Sequence, residues 1–475
     1  MACSSVEQVK VSESQIIKIW RYQLLKETEL VTEDGQPIRI IYPGRSNDDC
    51  GADFRDAVIA LGGRVIKGNI EVHVKSSGWQ AHQHHRDPIY NRVILHVVMW
   101  RDTGAVINLQ NGVSIPTLVL NKYTKISASQ LPDWACSSAT LGRNGEGMGK
   151  DPSLSLLSLP CFKATKDLTG DIMAESLDRA GEERFWAKAR RFQVDLTQTE
   201  AKQCFYQGIM GALGYSKNKT PFLELAHRVP LQVLESITGG KIAEEECLAR
   251  LEALLLGTAG LLPSQRPSCC PGDKSGNEWV DKLERLWTFC NQPEVMSPDA
   301  WHLFKIRPNN FPTRRIAAMS HLMLRYREGG IFDEIINTLK EIPPNKSHHI
   351  LEKGLTVTTK GYWASHFDFG LGSRTKNPTL LGTSRAANIV VNVVFPFISA
   401  WSQLDSQPEL EKKALDLYRS YPRLAANAVE RHMKNQLRLD SSLVNSAQRQ
   451  QGLIHIYNTL CTQGRCNCCP LGETA

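Results

Sequence analysis

Residues 51–99 read GADFRDAVIALGGRVIKGNIEVHVKSSGWQAHQHHRDPIYNRVILHVVM, a run of strand-like segments dense in groups that bind metals or move protons. Its centre, NIEVHVK at 69–75, alternates strictly. Ile70, Val72 and Val74 fall on one side; Glu71, His73 and Lys75 fall on the other. A carboxylate, an imidazole and an ammonium thus share one strand face while the aliphatic face packs on a core. The competing reading is the solvated face of a half-exposed strand.

Working outward, Gly62-Gly63 marks a hairpin turn between a strand-like segment at 57–61 and the strand that carries Glu71. Upstream, residues 12–26 pattern as an amphipathic helix, with Ser12 and Gln15 as a capping box and Ile17, Trp20 and Leu24 on one stripe. Residues 38–42 read as a short strand closed by Pro43-Gly44. Downstream, Asp87-Pro88 starts a short helix, and 92–100 is an apolar strand central in its sheet. The pattern predicts an α+β architecture, with an N-terminal mixed sheet flanked by helices over residues 1–126. A loose connector follows at 127–153. A helical domain, expected to be all-α, spans 154–455 with an exposed loop at 263–277. A Cys-rich tail closes the chain at 456–475.

Composition fits a soluble globular chain: 475 residues, 41% hydrophobic and 22% charged, with a net charge of +7. That charge permits contact with nucleic acid without requiring it. The N-terminal MACSSVEQVK has no apolar segment of the secretory kind. The run 386–401 carries Asn388, Asn392 and Pro396 and reads as a buried helix rather than a membrane span. The expectation is a cytoplasmic protein without a membrane partner. Most of the 13 cysteines, Cys161 among them, are isolated and read as reduced thiols.

Four constellations carry chemistry. Asp53 and Glu71 are two carboxylates suited to a hard divalent cation, Mg²⁺ or Mn²⁺, with His73 or Lys75 as base or charge stabiliser. His82 and His84, with His85 and Asp87 nearby, offer imidazole ligands on a loop, or a polar surface. His96, inside an apolar strand, reads as a hydrogen-bonded core residue. Cys461, Cys466, Cys468 and Cys469 crowd the tail. Positions 461, 466 and 469 have the C-x4-C-x2-C spacing of plant-type iron–sulfur proteins, while zinc with His455 or Cys468 as fourth ligand is equally lawful; a reduced tail is the plain alternative. Finally Lys305, Arg307, Arg314 and Arg315, with Tyr362, Trp363, Phe367 and Phe369, offer the basic and aromatic groups that grip single strands, or else a packed core.

The order helix, strand, Asp-bearing strand, Glu-bearing strand resembles the PD-(D/E)XK nuclease core, with His73 standing where that core places lysine. The resemblance implies a metal-dependent phosphodiesterase acting on DNA or RNA. The alternative is a non-catalytic scaffold that binds nucleic acid or a protein, with a nuclease-like sheet and a structural metal site. The fuller run Tyr42-Pro-Gly-Arg45, Gly51-x-Asp53-Phe54, Gly68-Asn-Ile-Glu-Val-His-Val74, Trp79, Tyr90-Asn91 and Ile94-Leu-His-Val-Val98 is similar to the bacterial family called domain of unknown function 2851. That likeness continues through Asn310-Phe-Pro-x-Arg-Arg-Ile316 to the cysteine tail. It implies a bacterial protein of recurring architecture and carries no substrate.

Overall fold

The computed structural model describes residues 11–26, 28–125, 161, 168–266, 277–290, 294–343, 348–373 and 376–472. The expected connector at 127–153 lies outside the described residues, as does 267–276 of the expected loop. The chain divides into two compact units. One comprises residues 1–180, 426–443 and 451–475; the other comprises 181–425 and 444–450. Two stretches that follow the helical region in sequence therefore belong with the N-terminal sheet.

The first unit is built on helix α1 (Glu13–Tyr22) and strands β1 (Leu30–Val31), β2 (Pro37–Tyr42), β3 (Arg45–Ser46), β4 (Phe54–Leu61) and β5 (Arg64–Lys75). A short helix α2 (Gly78–Ala81) and two 3₁₀ turns lead to β6 (Val93–Trp100). Strands β7 (Ile107–Asn108), β8 (Ser114–Ile115) and β9 (Thr117–Val119) complete it. The main sheet runs β1-β2-β4-β5-β6-β9, with β3 paired to β4. Pairing is antiparallel from β1 to β5 and parallel from β5 to β9. The sheet is mixed, as the pattern predicts.

Gly62 and Gly63 make the two-residue turn between β4 and β5, both with positive φ (54° and 80°), which matches the twist of a tight hairpin. At the start of α1, Gln15 Oε1 accepts from the Ser12 N–H at 2.7 Å, supplying the glutamine half of the capping box. Ile16, Ile19 and Trp20 of α1 are buried against Ile70 and Val72 of β5 and Leu95 and Val97 of β6. The aliphatic face of 69–75 thus builds the core, and the polar face is turned to the other side of the sheet.

A bulge in β4 decides what that polar face meets. Near the turn, Leu61 pairs with Arg64 and Ala57 with Gly68; past the bulge, Phe54 pairs with Ile70. An unbroken ladder would set Asp53 opposite Val72, on the core face. The extra residue shifts the register by one, bringing Asp53 opposite Glu71. Asp56 absorbs the kink with φ of 61°, and its Oδ2 accepts from Tyr457 Oη at 3.0 Å.

The second unit is predominantly helical around one large apolar core. It is not all-α. Two two-stranded ladders, Val357–Thr358 with Thr379–Leu381 and His366–Asp368 with Leu371–Gly372, interrupt it. Aromatic and β-branched residues between glycines favour extended backbone there. The stretches Glu244–Gln265 and Thr383–Leu404 are long and apolar enough to cross a membrane. Their apolar windows are 78% and 67% buried within the structure. Before Pro396, a π turn at Val390–Val394 takes up the missing hydrogen bond.

Candidate metal centre

The site forms on the sheet face opposite α1. The Asp53 N–H donates to Glu71 Oε2 at 3.2 Å, and the Val72 N–H donates to Asp53 Oδ2 at 3.0 Å. The two carboxylates are thereby locked to each other's strand. Across the parallel β5–β6 ladder, Glu71 lies beside His96. His73 Nδ1 shares a proton with His96 Nε2 at 2.9 Å, and His73 Nε2 shares one with His82 Nδ1 at 3.0 Å. His84 Nε2 lies 3.1 Å from Glu71 Oε1, and His73 Nε2 lies 3.8 Å from the same oxygen. His73, His82 and His84 each aim one ring nitrogen into a space where all three lie within 4.8 Å of one another.

Local structure explains how three histidines reach one point. A Cβ on Gly78 would stand 2.7 Å from His73 Cδ2, so the turn after β5 closes on the ring only because that residue has no side chain. Asp87 Oδ1 accepts from the Ile89 N–H at 2.9 Å, capping the 3₁₀ turn that carries Tyr90. The Tyr90 ring lies over His84, with centroids 3.9 Å apart. Trp79, fully buried, meets His84 and His96 edge-on.

Burial sets the charge states. Desolvation first, and the Glu71 charge second, push the Asp53 carboxyl well above its usual range. Glu71 is raised chiefly by burial, with the Asp53 N–H opposing and Glu13 adding to the rise. Desolvation, then His96, His84 and His82, press His73 down to about 2. Burial and His84 hold His96 at about 3, and burial also lowers His84. The imidazoles are neutral, the form that binds metals. Without a cation the carboxylates lack a counter-charge, so they favour a proton.

The donor set fits a metal ion. Two ligands each about 2.1 Å from a metal, at right-angled to tetrahedral separation, stand about 3.0–3.4 Å apart. The edges His73–His82 and Glu71–His84 fall at that spacing, at 3.0 and 3.1 Å. His84 Nε2 is buried and makes no hydrogen bond. Glu71, His73, His82 and His84 would hold the ion, with Asp53 beside them. Imidazole-rich donors favour Mn²⁺, Fe²⁺ or Zn²⁺ over Mg²⁺.

Asp53, Glu71, His73, His82 and His84 therefore meet in one cluster. His96, expected in the core, is buried and also joins it. Its place beside Glu71 is set by the β5–β6 pairing, which carries a register shift near Asn69 that the sequence does not show. Lys75, at the end of β5, is exposed. Arg314 and Arg315, expected at a nucleic-acid surface, are 1% and 4% exposed. Arg314 donates to the carbonyls of Trp363, His366, Asn377 and Thr379; Arg315 donates to Leu380 O, Tyr215 Oη and Asn310 Oδ1. Arg314 is spent on backbone carbonyls in and beside the short ladders, and Arg315 on one such carbonyl and two side-chain oxygens. Cys461 is buried, while Cys466 and Cys468 are exposed and Cys469 is intermediate.

No curated protein and no solved structure matches the chain. A family model described as "Protein of unknown function (DUF2851)" matches residues 13–425, which include every residue of the carboxylate–histidine cluster. The chain belongs to the DUF2851 family.

Proposed function

We propose that the chain is a metal-dependent phosphodiesterase acting on DNA or RNA. One observation carries the reading: two carboxylates and three imidazoles converge with donor spacings suited to a divalent transition metal. The strand order supports it, since α1 and the antiparallel run β2-β4-β5 follow the order helix, strand, Asp-bearing strand, Glu-bearing strand. A cleft of about 340 Å³ in the same unit supports an anionic substrate, being lined by Arg21, Arg45 and Arg431 against a single acidic residue, Asp48. A bound cation would supply Lewis-acid stabilisation of the phosphoryl oxygens and acidify its water.

The chain's own residues then divide the work. Glu71 as a ligand and Asp53 beside it would, once deprotonated, supply the counter-charge of a bound cation. His82 is the exposed member of the imidazole cluster and would complete the ligand set at the mouth of the site. His96, hydrogen-bonded to His73 Nδ1, would hold the His73 ring in place as a ligand. Trp79 and Tyr90 wall the buried side from solvent.

A second reading, a non-catalytic binding protein with the same metal centre, is favoured by one observation. His73 occupies the position expected for lysine, and it is buried and neutral. Purified chain incubated with single- and double-stranded DNA and RNA, in Mn²⁺, Zn²⁺ or Mg²⁺, separates the two. Cleavage that is lost in Glu71→Ala supports the enzyme. If wild type and Glu71→Ala are indistinguishable on every substrate, the enzyme reading falls. Metal-independent binding without cleavage would leave the scaffold.

A further inference from the structure

The C-terminal turn is built to hold its thiols in place. Helix Ala447–Thr459 ends in a 3₁₀ turn, Cys461–Gln463, followed by Gly464 at φ of 67°. A Cβ on Gly464 would stand 2.8 Å from Val58 Cγ1 and 3.3 Å from Ile41 Cγ2, so this turn lies directly on the sheet. Lys67 Nζ donates to Gln463 Oε1 at 2.6 Å. The next 3₁₀ turn, Cys466–Cys468, is closed by the Cys469 N–H donating to Cys466 O at 3.1 Å. The Gly472 N–H then donates to Cys469 O at 2.9 Å. Cys468 is turned away: its Sγ faces Asn467 Oδ1 at 3.7 Å, in solvent.

A fourth thiol arrives from about three hundred residues upstream. Gln436 Nε2 donates to Cys161 Sγ at 2.7 Å. Gln436 lies one helical turn after His432 on helix Ala428–Leu437. The His432 ring meets Tyr457 edge-on, with centroids 5.9 Å apart, and Tyr457 lies one turn before Cys461. This chain of contacts sets Cys161 beside the C-terminal turn. Burial first raises Cys161 and Cys461; Cys161 is raised further by Cys466 and Cys469, and Cys461 by Cys161, Cys469 and Cys466. The four sulfurs therefore lie within electrostatic reach of one another. All are free.

We propose that Cys161, Cys461, Cys466 and Cys469 ligate an iron–sulfur cluster, with Cys468 outside it. The set is purely thiolate. Its C-x4-C-x2-C run with one remote cysteine is of the iron–sulfur kind, whereas structural zinc sites commonly pair their ligands in two short loops. Gln436 donates to a ligand sulfur, the contact by which proteins tune such clusters. The cluster ties Cys161 to the turn that rests on β2 and β4, and it is independent of the carboxylate–histidine site.

The test uses the full chain purified without oxygen. Iron, acid-labile sulfide and visible charge-transfer absorption are measured for wild type, Cys161→Ser and Cys468→Ser. Wild type and Cys468→Ser are expected to contain iron and sulfide, and Cys161→Ser to lose both. In native wild type, alkylation mapped by mass spectrometry should mark Cys468 and spare the other four. That footprint decides the matter if Cys161→Ser does not fold. Zinc in place of iron and sulfide, no metal at all, or Cys161 alkylated while Cys468 is protected would each overturn the proposal.

Discussion

Glu71 Oε1 stands 3.1 Å from His84 Nε2, and that nitrogen is buried with no hydrogen bond of its own. A metal ion would bind that nitrogen and displace the protons of the two carboxyls at the same time. Titration calorimetry with Mn²⁺ or Zn²⁺ should therefore show His84→Ala and Glu71→Gln weakened by roughly a hundredfold or more, since even outer contacts of such sites cost tenfold to a hundredfold. Lys75→Ala should bind as wild type does. Equal affinity in His84→Ala would sink the metal assignment.

Gly78 offers a test that leaves every donor in place. An added Cβ would meet His73 Cδ2 at 2.7 Å and Cγ at 2.8 Å, and neither ring atom yields without rotating the imidazole away from His96 and His82. Gly78→Ala should lower stability by about 1–3 kcal/mol. It should also reduce metal affinity, although no ligand is touched. A variant with wild-type affinity would show that the ring's seat does not matter.

Arginines in the two units should behave oppositely. Arg314→Met strands four carbonyls that the guanidinium now pairs. At about 1–3 kcal/mol for each unpaired buried group, the loss should reach on the order of 4 kcal/mol, visible as a large fall in denaturation midpoint. Arg431, in the cleft with Arg21 and Arg45, should do the reverse. Arg431→Ala should keep its stability while lowering the salt dependence of nucleic-acid binding by about one phosphate's share. An unchanged salt slope would remove that cleft from the binding surface.

The local half of the fold was legible in the sequence. The strict alternation of 69–75 named both faces of β5, and Gly62-Gly63 named its hairpin. The meeting of Asp53 with Glu71 was not derivable by counting from that turn, because an unbroken ladder puts Asp53 opposite Val72. A bulge at a single aspartate, Asp56, corrects the count, and nothing in FRDAV announces it. Long-range packing hid the rest. Arg314 looks like a surface cation until the carbonyls of residues 363–379 fold over it. Cys161 looks like an isolated thiol until Gln436 and the C-terminal turn reach it. Short-period patterns report one strand or helix at a time, whereas these groups are assembled across hundreds of residues.

Glu252 gives the helical unit a pH dependence that one substitution can isolate. It is fully buried in its helix, and its Oε2 accepts from the indole nitrogens of Trp279 at 3.1 Å and Trp363 at 2.8 Å, while Oε1 has no partner. Burial raises its pKa from 4.5 to about 7, and the two indoles only partly offset the rise. A carboxyl whose folded pKa is raised contributes stability that is fully present below its unfolded pKa and is lost as pH climbs through the folded value. The window thus runs from about pH 4.5 to just above 7, and the loss across it is about 3 kcal/mol. Glu252→Gln keeps an oxygen for both indoles and cannot ionise. Denaturation followed by tryptophan fluorescence should find it close to wild type at acid pH and more stable at pH 8 by about that amount. The difference between the two proteins isolates this one group from every other titration in the chain. A constant difference across the pH range would mean that Glu252 does not change its charge where its burial requires.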